Sequence, residues 1–207
     1  MGGKALPYDA EIEYLEINTG CGFIDIDTGY IPTGLDNDIY ITITHLSFPS
    51  GTTRHCYFHN GNVDKGRRHR LNRSPSNNTQ LLAYNGSSAS ITTNAYGIIN
   101  VTSNTLYTIE FHNSTQTVVC NETSYNAKNS EADEDSGYSV HIFGLFGDNP
   151  PVNPYCKFHS FKWYKAGKLE LDIIPVRIGD KGYLYDKVKN RLLPNIEAGE
   201  FILGPDK

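Results

Sequence analysis

Apolar residues alternate with polar ones over much of the chain, and this alternation predicts a succession of short β-strands. In the stretch 38–48, three isoleucines alternate with hydroxyl-bearing residues, which places the isoleucines on one face and Tyr40, Thr42 and Thr44 on the other. Such a strand has one buried face and one face in contact with solvent. Similar runs predict strands at 54–59, 80–84, 96–101, 106–112, 116–122 and 138–146.

Short turn signals separate these runs. Four dipeptides are typical of tight turns between antiparallel strands: Asn60-Gly61, Asn85-Gly86, Ala166-Gly167 and Lys189-Asn190. No segment shows a convincing helical period, and no internal repeat of fixed length is present. Many short strands with regular turns predict an all-β protein, an antiparallel two-sheet β-sandwich of the jelly-roll kind.

Length and composition agree with a single domain of this class. The 207 residues, 38% of them hydrophobic, can bury one sizeable core. We expect residues 1–10 to form an arm or tether and residues 11–207 to form the domain. The net charge of −5 is modest and favours neither nucleic acid nor a membrane as a partner. The first residues, MGGKALPYDA, lack the apolar run of a signal peptide, so we expect synthesis in a cytoplasm.

The four cysteines are widely spaced and include no CxxC pair: Cys21, Cys56, Cys120 and Cys156. Four cysteines allow three disulfide connectivities, and the sequence does not choose among them. Without a secretion signal, free thiols are the expectation.

Both ends of the chain resemble one known family. The run HSFKWYKAGKLELDIIPVRIGDKGYLYDKVKNRLLPN, followed by GEFILGP, resembles the carboxy-terminal signature of concanavalin A-like, laminin-G-type jelly rolls, which are common in phage and prophage structural proteins of gut bacteria. The run IEYLEINTGCGFIDIDTGYIPT resembles the opening strands of the same family. The middle of the chain, about 48–137, is similar to it only in pattern.

This resemblance implies that the first and last strands lie side by side, and that Pro175 lies in a strand of the scaffold. It also implies a phage virion protein, such as a head or tail fibre or decoration subunit. In that setting we expect display on the virion surface, with the amino-terminal arm contacting other virion or fibre subunits. Fibre proteins are often trimeric, which makes a homo-oligomer a family-level expectation.

Relatives with this fold include glycosidases that carry a carboxylate pair on one mid-chain strand. The string EIEYLE imitates their motif with Glu11, Glu13 and Glu16. On a regular strand Glu16 points away from the other two, and this strand is the first of the chain rather than a central one. We therefore expect no catalytic residues and no enzymatic activity.

Metal sites and cofactors are not expected either. The strings HCYFH and CKFH could suggest zinc, but strand geometry separates His55 from His59 by about 13 Å and turns Cys156 away from His159. The acidic strings DEDSG, LDND and GDNP lack the full spacing of a calcium loop.

Candidate ligand-binding residues come from one basic cluster and from tyrosines. The cluster KGRRHRLNR, which we expect on a loop after Asn60-Gly61, could bind a phosphate or an acidic sugar through its guanidinium groups. Trp163 alternates in phase with Phe161 and is expected in the core, whereas Tyr164 is out of phase and available to ligand. The predicted ligand-binding residues are Tyr57, Arg67, Arg68, Arg70, Tyr84 and Tyr96.

Three classes of function remain open. The leading one is a non-enzymatic recognition or display module that binds a glycan on a bacterial or host surface. The second is a structural capsid or fibre subunit that binds no sugar, and the third is a glycan-cleaving enzyme of the same fold. Two carboxylates about 5 to 9 Å apart in a cleft would favour the third class.

Overall fold

A computed structural model describes residues 6–47, 55–61, 68–74, 77, 79–87, 97–115, 117–126, 135–144 and 153–207. Within these residues the chain forms seventeen β-strands and no helix. The strands are β1 (Ala10–Glu11), β2 (Leu15–Ile17), β3 (Asp25–Asp27), β4 (Asn37–His45), β5 (Cys56–His59), β6 (Arg68–Arg73), β7 (Gln80–Ser87), β8 (Gly97–Asn100), β9 (Thr105–His112), β10 (Thr117–Cys120), β11 (Thr123–Asn126), β12 (His141–Phe143), β13 (Cys156–Lys165), β14 (Lys168–Ile178), β15 (Lys181–Asp186), β16 (Arg191–Leu193) and β17 (Ile202–Leu203).

The strands form two antiparallel sheets. The larger sheet has eleven strands, and its main path runs in the order β11-β10-β9-β4-β13-β14-β15-β16, with β1, β2 and β17 paired beside β13 and β14. The smaller sheet has six strands in the order β3-β12-β5-β6-β7-β8. The prediction of an all-β, two-sheet sandwich of the jelly-roll kind is confirmed.

The two ends of the chain meet in the larger sheet. Strand β17 pairs with β2, so that Ile202 lies opposite Glu16, and an isolated bridge joins Ile12 to Asp206. This is the adjacency of first and last strands that the resemblance implied. Strand β1 pairs with β14, and Asp9 donates a backbone hydrogen bond to Arg177. Residues 9 and 10, which the sequence placed in the arm, are therefore paired with the sheet.

Aromatic side chains fill the space between the sheets. Phe58 of the smaller sheet contacts Phe111 and Phe161 of the larger one, with ring centroids 5.3 and 5.2 Å apart. Trp163 is fully buried, and its Nε1 donates a 3.0 Å hydrogen bond to Oδ1 of the buried Asn37. The prediction that Trp163 belongs to the core is confirmed, and the hydrogen bond satisfies its one polar atom.

Strand β14 explains the run DIIPV of the sequence. Its partner changes along one edge from β13, which pairs as far as Ile173, to β1, which pairs from Val176. Pro175 lies at the point of change, and its carbonyl accepts a hydrogen bond from Ile12. A residue at this gap needs no ladder donor, so proline is tolerated.

Tyr8 packs on Tyr185 beside Ile174 and Val176, which gives β14 buried residues on both faces.

Two local predictions were wrong. The basic cluster does not form a loop throughout, because Arg68–Arg73 is strand β6, paired between β5 and β7. Asn85-Gly86 is not a turn, because both residues lie within β7. In each case pairing with neighbouring strands overrides the local turn or charge signal. The hairpin at Ala166-Gly167 is as predicted, with φ angles of 49° and 73°.

All four cysteines lie among the described residues, where they are buried and form no disulfide. Burial raises the pKa of the Cys120 thiol to about 11, and burial together with Glu16 and Cys21 raises that of Cys156. These thiols are protonated at neutral pH and are poor nucleophiles.

No helix in the described part of the chain is long and apolar enough to cross a membrane.

Candidate functional site

The outer face of the larger sheet carries an array of polar and aromatic side chains. Strand β4 alternates buried and half-buried residues along its whole length, so its hydroxyl-bearing residues lie on the side away from the core, as predicted. Strands β9 and β13 flank β4 and place their own outward residues beside these. We call this array the outer face; it comprises Asp38, Tyr40, Thr42, Thr108, Glu110, His112, Lys162 and Tyr164.

Tyr40 lies at the centre of the outer face. Its ring makes edge-on contacts with Tyr164 and His112, at centroid distances of 5.6 and 6.0 Å. In the sheet register Tyr40 stands between Glu110 and Lys162, so that charged groups of both signs border the ring. Burial, together with the negative charges of Asp38 and Glu110, raises the pKa of Tyr40. The phenol therefore stays protonated at neutral pH and can donate a hydrogen bond.

His112 holds two carboxylates of the outer face in place. Its Nδ1 lies 3.0 Å from Oδ1 of Asp38 and its Nε2 lies 3.3 Å from Oε2 of Glu110. Each carboxylate has a second oxygen, and both side chains are about one third exposed. The outer face thus offers fixed hydrogen-bond acceptors directly beside an aromatic cluster.

A shallow hollow of about 320 Å³ adjoins Glu110. It is lined by Thr108, Glu110, Asn121 and Glu122. The Asn121 side chain is engaged with the backbone, since it accepts from the amide of Thr108 and donates to the carbonyl of Leu106. The remaining lining groups are two carboxylates and one hydroxyl, which suit the hydroxyl groups of a sugar better than an apolar ligand.

The smaller sheet carries a second polar feature on the side away from the core. Five residues on five adjacent strands are direct cross-strand neighbours, and we call them the polar row: Asp27, His141, His59, Arg70 and Tyr84. The row runs from Asp27, whose side chain is 41% exposed, to Tyr84, which is 4% exposed. Its members are far apart in the sequence and meet only through strand pairing.

His141 is held between two carboxylates. Its Nδ1 lies 2.7 Å from Oδ1 of Asp25, and its Nε2 lies 3.8 Å from Oδ1 of Asp27. Burial lowers the pKa of His141, but the hydrogen bond and charge of Asp25 and the charge of Asp27 outweigh it, so the pKa is raised. The imidazole is therefore held in its charged form over a wider pH range.

Ser139 completes a chain with the connectivity of a serine-histidine-aspartate triad. Its Oγ lies 3.3 Å from Nε2 of His141. However, Ser139 also donates to the carboxylate of Asp27, and this bond helps to lower the pKa of Asp27 against the effect of burial. Because the Ser139 hydroxyl directs its proton to Asp27, Nε2 of His141 is not placed to accept that proton as a general base would. The contacts of this arrangement are those of an ion-pair cluster.

His59, Arg70 and Tyr84 form the buried end of the polar row. The ring of His59 stacks on His141, with centroids 5.1 Å apart and planes 13° from parallel. Burial, reinforced by the positive charges of His141 and Arg70, lowers the pKa of His59 to about 3. The guanidinium carbon of Arg70 lies 4.5 Å from the centre of the Tyr84 ring, within cation–π range.

The predicted ligand-binding residues fall into three groups. Arg70 and Tyr84 meet in the polar row, where both are buried. Tyr57 is fully buried between the sheets and contacts Nδ1 of His45 through its hydroxyl, so its ring offers no surface to a ligand from solvent. Arg67, Tyr96 and the side chain of Arg68 lie outside the described residues.

The outer face was largely missed at the sequence level. Only Tyr164 was singled out there, although the alternation in the stretch 38–48 already placed Tyr40 on the solvent side. The site could have been predicted by placing the outward-facing tyrosine and acidic positions of neighbouring strands beside one another. That pairing depends on strand order, which alternation does not contain.

The described residues contain no group of three or more His, Cys, Asp or Glu side chains that could hold a metal ion. His55 contacts the carbonyl of Asn153, whereas His59 stacks on His141. His159 is engaged by Thr44 and by the carbonyl of Glu13. In the string LDND, Asn37 binds Trp163 and Asp38 binds His112. Of the other acidic strings, GDNP lies outside the described residues, as do Asp133 and Glu134 of DEDSG.

The string EIEYLE is divided between two strands. Glu11 belongs to β1, where it accepts a hydrogen bond from Tyr8. Glu16 belongs to β2 and accepts one from the side chain of Asn18. The three glutamates of the string therefore do not share one regular strand, which the carboxylate motif of the glycosidases requires.

A solved bacterial structure shares this fold. No protein-family model matches the chain, and no curated protein matches its sequence. The crystal structure of a "putative carbohydrate binding protein" from Bacteroides ovatus superimposes with a TM-score of 0.57 at 10% sequence identity. The match covers 96% of this chain and 62% of that protein, so this chain spans less than two thirds of its length. At this identity the likeness concerns the fold, a two-sheet β-sandwich.

Proposed function

We propose that this protein is a non-catalytic glycan-binding module and that the outer face of the larger sheet is its binding surface. The observation that carries the proposal is the cluster around Tyr40, where aromatic rings lie beside two carboxylates fixed by His112. Sugars present apolar C–H faces and hydroxyl edges, so they bind where an aromatic ring adjoins fixed hydrogen-bond acceptors. The Bacteroides ovatus structure, which carries a carbohydrate-binding name on the same fold, supports this class of ligand.

Two observations favour binding over cleavage. The carboxylates of Asp38 and Glu110 both contact His112, so the imidazole occupies the gap between them in which a glycosidic bond would have to lie. In the smaller sheet the Ser139 hydroxyl donates to Asp27 rather than to His141, so the Ser139–His141–Asp25 chain is not arranged as a nucleophile with its base. Both arrangements are suited to fixed hydrogen bonding.

We also propose where the protein acts. This part of the proposal rests on the resemblance of the chain ends to phage structural proteins alone. In it the module is displayed on a phage virion surface as a fibre or decoration subunit and contacts other subunits through the amino-terminal residues. The competing hypothesis is an assembly subunit that uses the same sheet face as a protein interface and binds no sugar.

The proposal is tested with a panel of bacterial capsular and host glycans, measuring retained protein and released oligosaccharide in parallel. We expect retention without release for the wild-type protein. Tyr40→Ala should weaken binding about tenfold, the loss expected for one aromatic contact worth about 1.4 kcal/mol. Tyr164→Ala should have a smaller effect in the same direction.

Tyr138→Ala provides the matched control, since Tyr138 is an exposed tyrosine, 38% accessible, outside the outer face. It should bind as the wild type does. Equal binding by Tyr40→Ala and wild type would contradict the assigned surface, and release of oligosaccharide would contradict the non-catalytic assignment. Failure to bind any glycan would favour the assembly subunit.

A further inference from the structure

The polar row contains a buried cation without a counter-charge. Arg70 is 1% exposed, and its Nε and Nη2 atoms have no hydrogen-bond partner among the described residues. No ion pair joins its guanidinium to any carboxylate in the described ranges of the chain. Burying a charge costs free energy unless the charge is paired and hydrogen-bonded. We therefore expect the guanidinium of Arg70 to bind an anionic hydrogen-bond acceptor.

The carboxylates on the same side of the sheet do not supply that partner. Asp25 and Asp27 are engaged with His141, which stands two strands away from Arg70 in the polar row. At about 4.8 Å per strand, the backbone of Asp27 lies about 14 Å from that of Arg70. Hydrogen bonds and charge interactions with His141 occupy these carboxylates locally, and among the described side chains the ring of Tyr84 compensates Arg70 in part.

His59, the direct cross-strand neighbour of Arg70, is also buried without side-chain hydrogen bonds to the described residues. It is 2% exposed, and within the described part of the chain neither of its ring nitrogens has a hydrogen-bond partner. Because its pKa is about 3, the ring is neutral at physiological pH and carries one N–H donor. Donors of two adjacent side chains are thus unsatisfied at one place on the sheet.

The unsatisfied atoms of Arg70 identify the geometry of the missing partner. Nε and Nη2 form one edge of the guanidinium plane, with parallel N–H bonds that match the two oxygens of a carboxylate or of a tetrahedral oxyanion. We infer that this end of the polar row binds an oxyanion, with Arg70 providing a bidentate contact, His59 one further donor and Tyr84 a wall. Such a group is carried by the uronate or sulfate of an acidic sugar, or occurs free.

This site lies on the opposite sheet from the outer face, and its existence does not depend on the proposed glycan surface. The two can be separated by mutation, since Arg70 variants leave Tyr40 intact and Tyr40 variants leave Arg70 intact. A protein with both sites would bind neutral glycans through one sheet and recognise an acidic substituent through the other.

The test measures thermal unfolding of the full chain during titration with sodium sulfate, sodium glucuronate and neutral glucose, with ionic strength held constant by chloride. Sulfate or glucuronate at about 100 times its Kd should raise the Tm of the wild type by about 5 to 10 °C and reach saturation. Glucose and chloride should not. A response to glucuronate alone indicates a sugar-borne carboxylate, and a response to both indicates a general oxyanion site.

Arg70→Lys is the matched variant, because it keeps the charge and removes the bidentate edge; its response should need at least tenfold more anion. Tyr40→Ala should respond as the wild type does. An equal Tm rise in Arg70→Lys, or an equal rise with chloride, would overturn the inference.

A second measurement covers the case in which Arg70→Lys fails to fold. In the wild-type protein, a protected arginine Nε–H resonance should shift on titration with glucuronate. The absence of any such shift up to 50 mM would equally overturn the site.

Discussion

The Nδ1 atom of His141 lies 2.7 Å from the Oδ1 atom of Asp25, and the two residues belong to adjacent strands of the smaller sheet. Only 16% of each side chain is exposed, so solvent screens this pair less than an ion pair on the open surface. The contact joins residues 116 positions apart in the sequence. It fixes β12 against β3 at the exposed end of the polar row.

Asp25→Asn should lower the free energy of unfolding by about 1.5 to 3 kcal/mol at pH 6, the range for a hydrogen bond to a charged group. Because the pKa of His141 is raised in the folded state, its stabilising effect is complete below the unfolded value near 6.5 and is lost as the pH rises through the folded value. The cost of the substitution should therefore be smaller at pH 9. Urea unfolding of both proteins at the two pH values measures this. An equal cost at pH 6 and pH 9 would show that His141 is not charged in the folded protein.

His59 should have the opposite pH dependence. Its pKa falls to about 3 on folding, so the neutral ring stabilises the fold above pH 6.5, and this contribution is lost as the pH decreases toward 3. In His59→Gln the decline in stability between pH 6.5 and pH 4 should be shallower than in the wild type. Unfolding monitored by circular dichroism at half-unit pH intervals gives both slopes, and parallel slopes would contradict the burial of an uncharged His59.

Trp163→Phe should destabilise the fold by about 2 to 4 kcal/mol. The substitution leaves a cavity in the core and removes the donor to Oδ1 of Asn37, which is 2% exposed and would keep a buried acceptor without its partner. Tyr164→Phe, one position along on the outward side, is the control and should change stability by less than about 0.5 kcal/mol. Chemical denaturation of the two variants compares them directly. A small effect for Trp163→Phe would mean that the core relaxes around the site.

Ala166→Asn should stabilise the β13–β14 hairpin by about 0.5 to 1 kcal/mol. Ala166 has a φ of 49°, a left-handed conformation that costs alanine more than asparagine, and Asn-Gly is the preferred dipeptide of a two-residue turn with both φ angles positive. Gly167→Ala should destabilise by about 1 kcal/mol, because its φ of 73° lies in the same region. Midpoints of thermal unfolding should move in opposite directions for the two variants. The turn assignment fails if both move the same way.

Alternation and turn residues were enough to predict the class of the fold and the face of the sheet on which each strand residue lies. Alternation placed Trp163 inside and Tyr164 outside, and placed the isoleucines of β4 against the core, because successive side chains on a strand point to opposite faces. The two ends of the chain resembled one family closely enough to imply that they lie together, and β17 does pair with β2.

The grouping of residues into sites became visible with the order of the strands in each sheet. Arg70 looked like part of a loop because charge predicts solvent exposure locally, yet it lies in β6, which is paired between β5 and β7, and it is buried. A β-bulge between Cys56 and Phe58 breaks the alternation of β5, so that Tyr57 and Phe58 are both buried in the core. The polar row exists because β12 pairs with both β3 and β5. Strand β5 lies more than eighty residues before β12 in the sequence, and β3 lies further away still. Period and composition describe one strand at a time, whereas a binding site is made by the order and register of several strands, which depend on non-local packing.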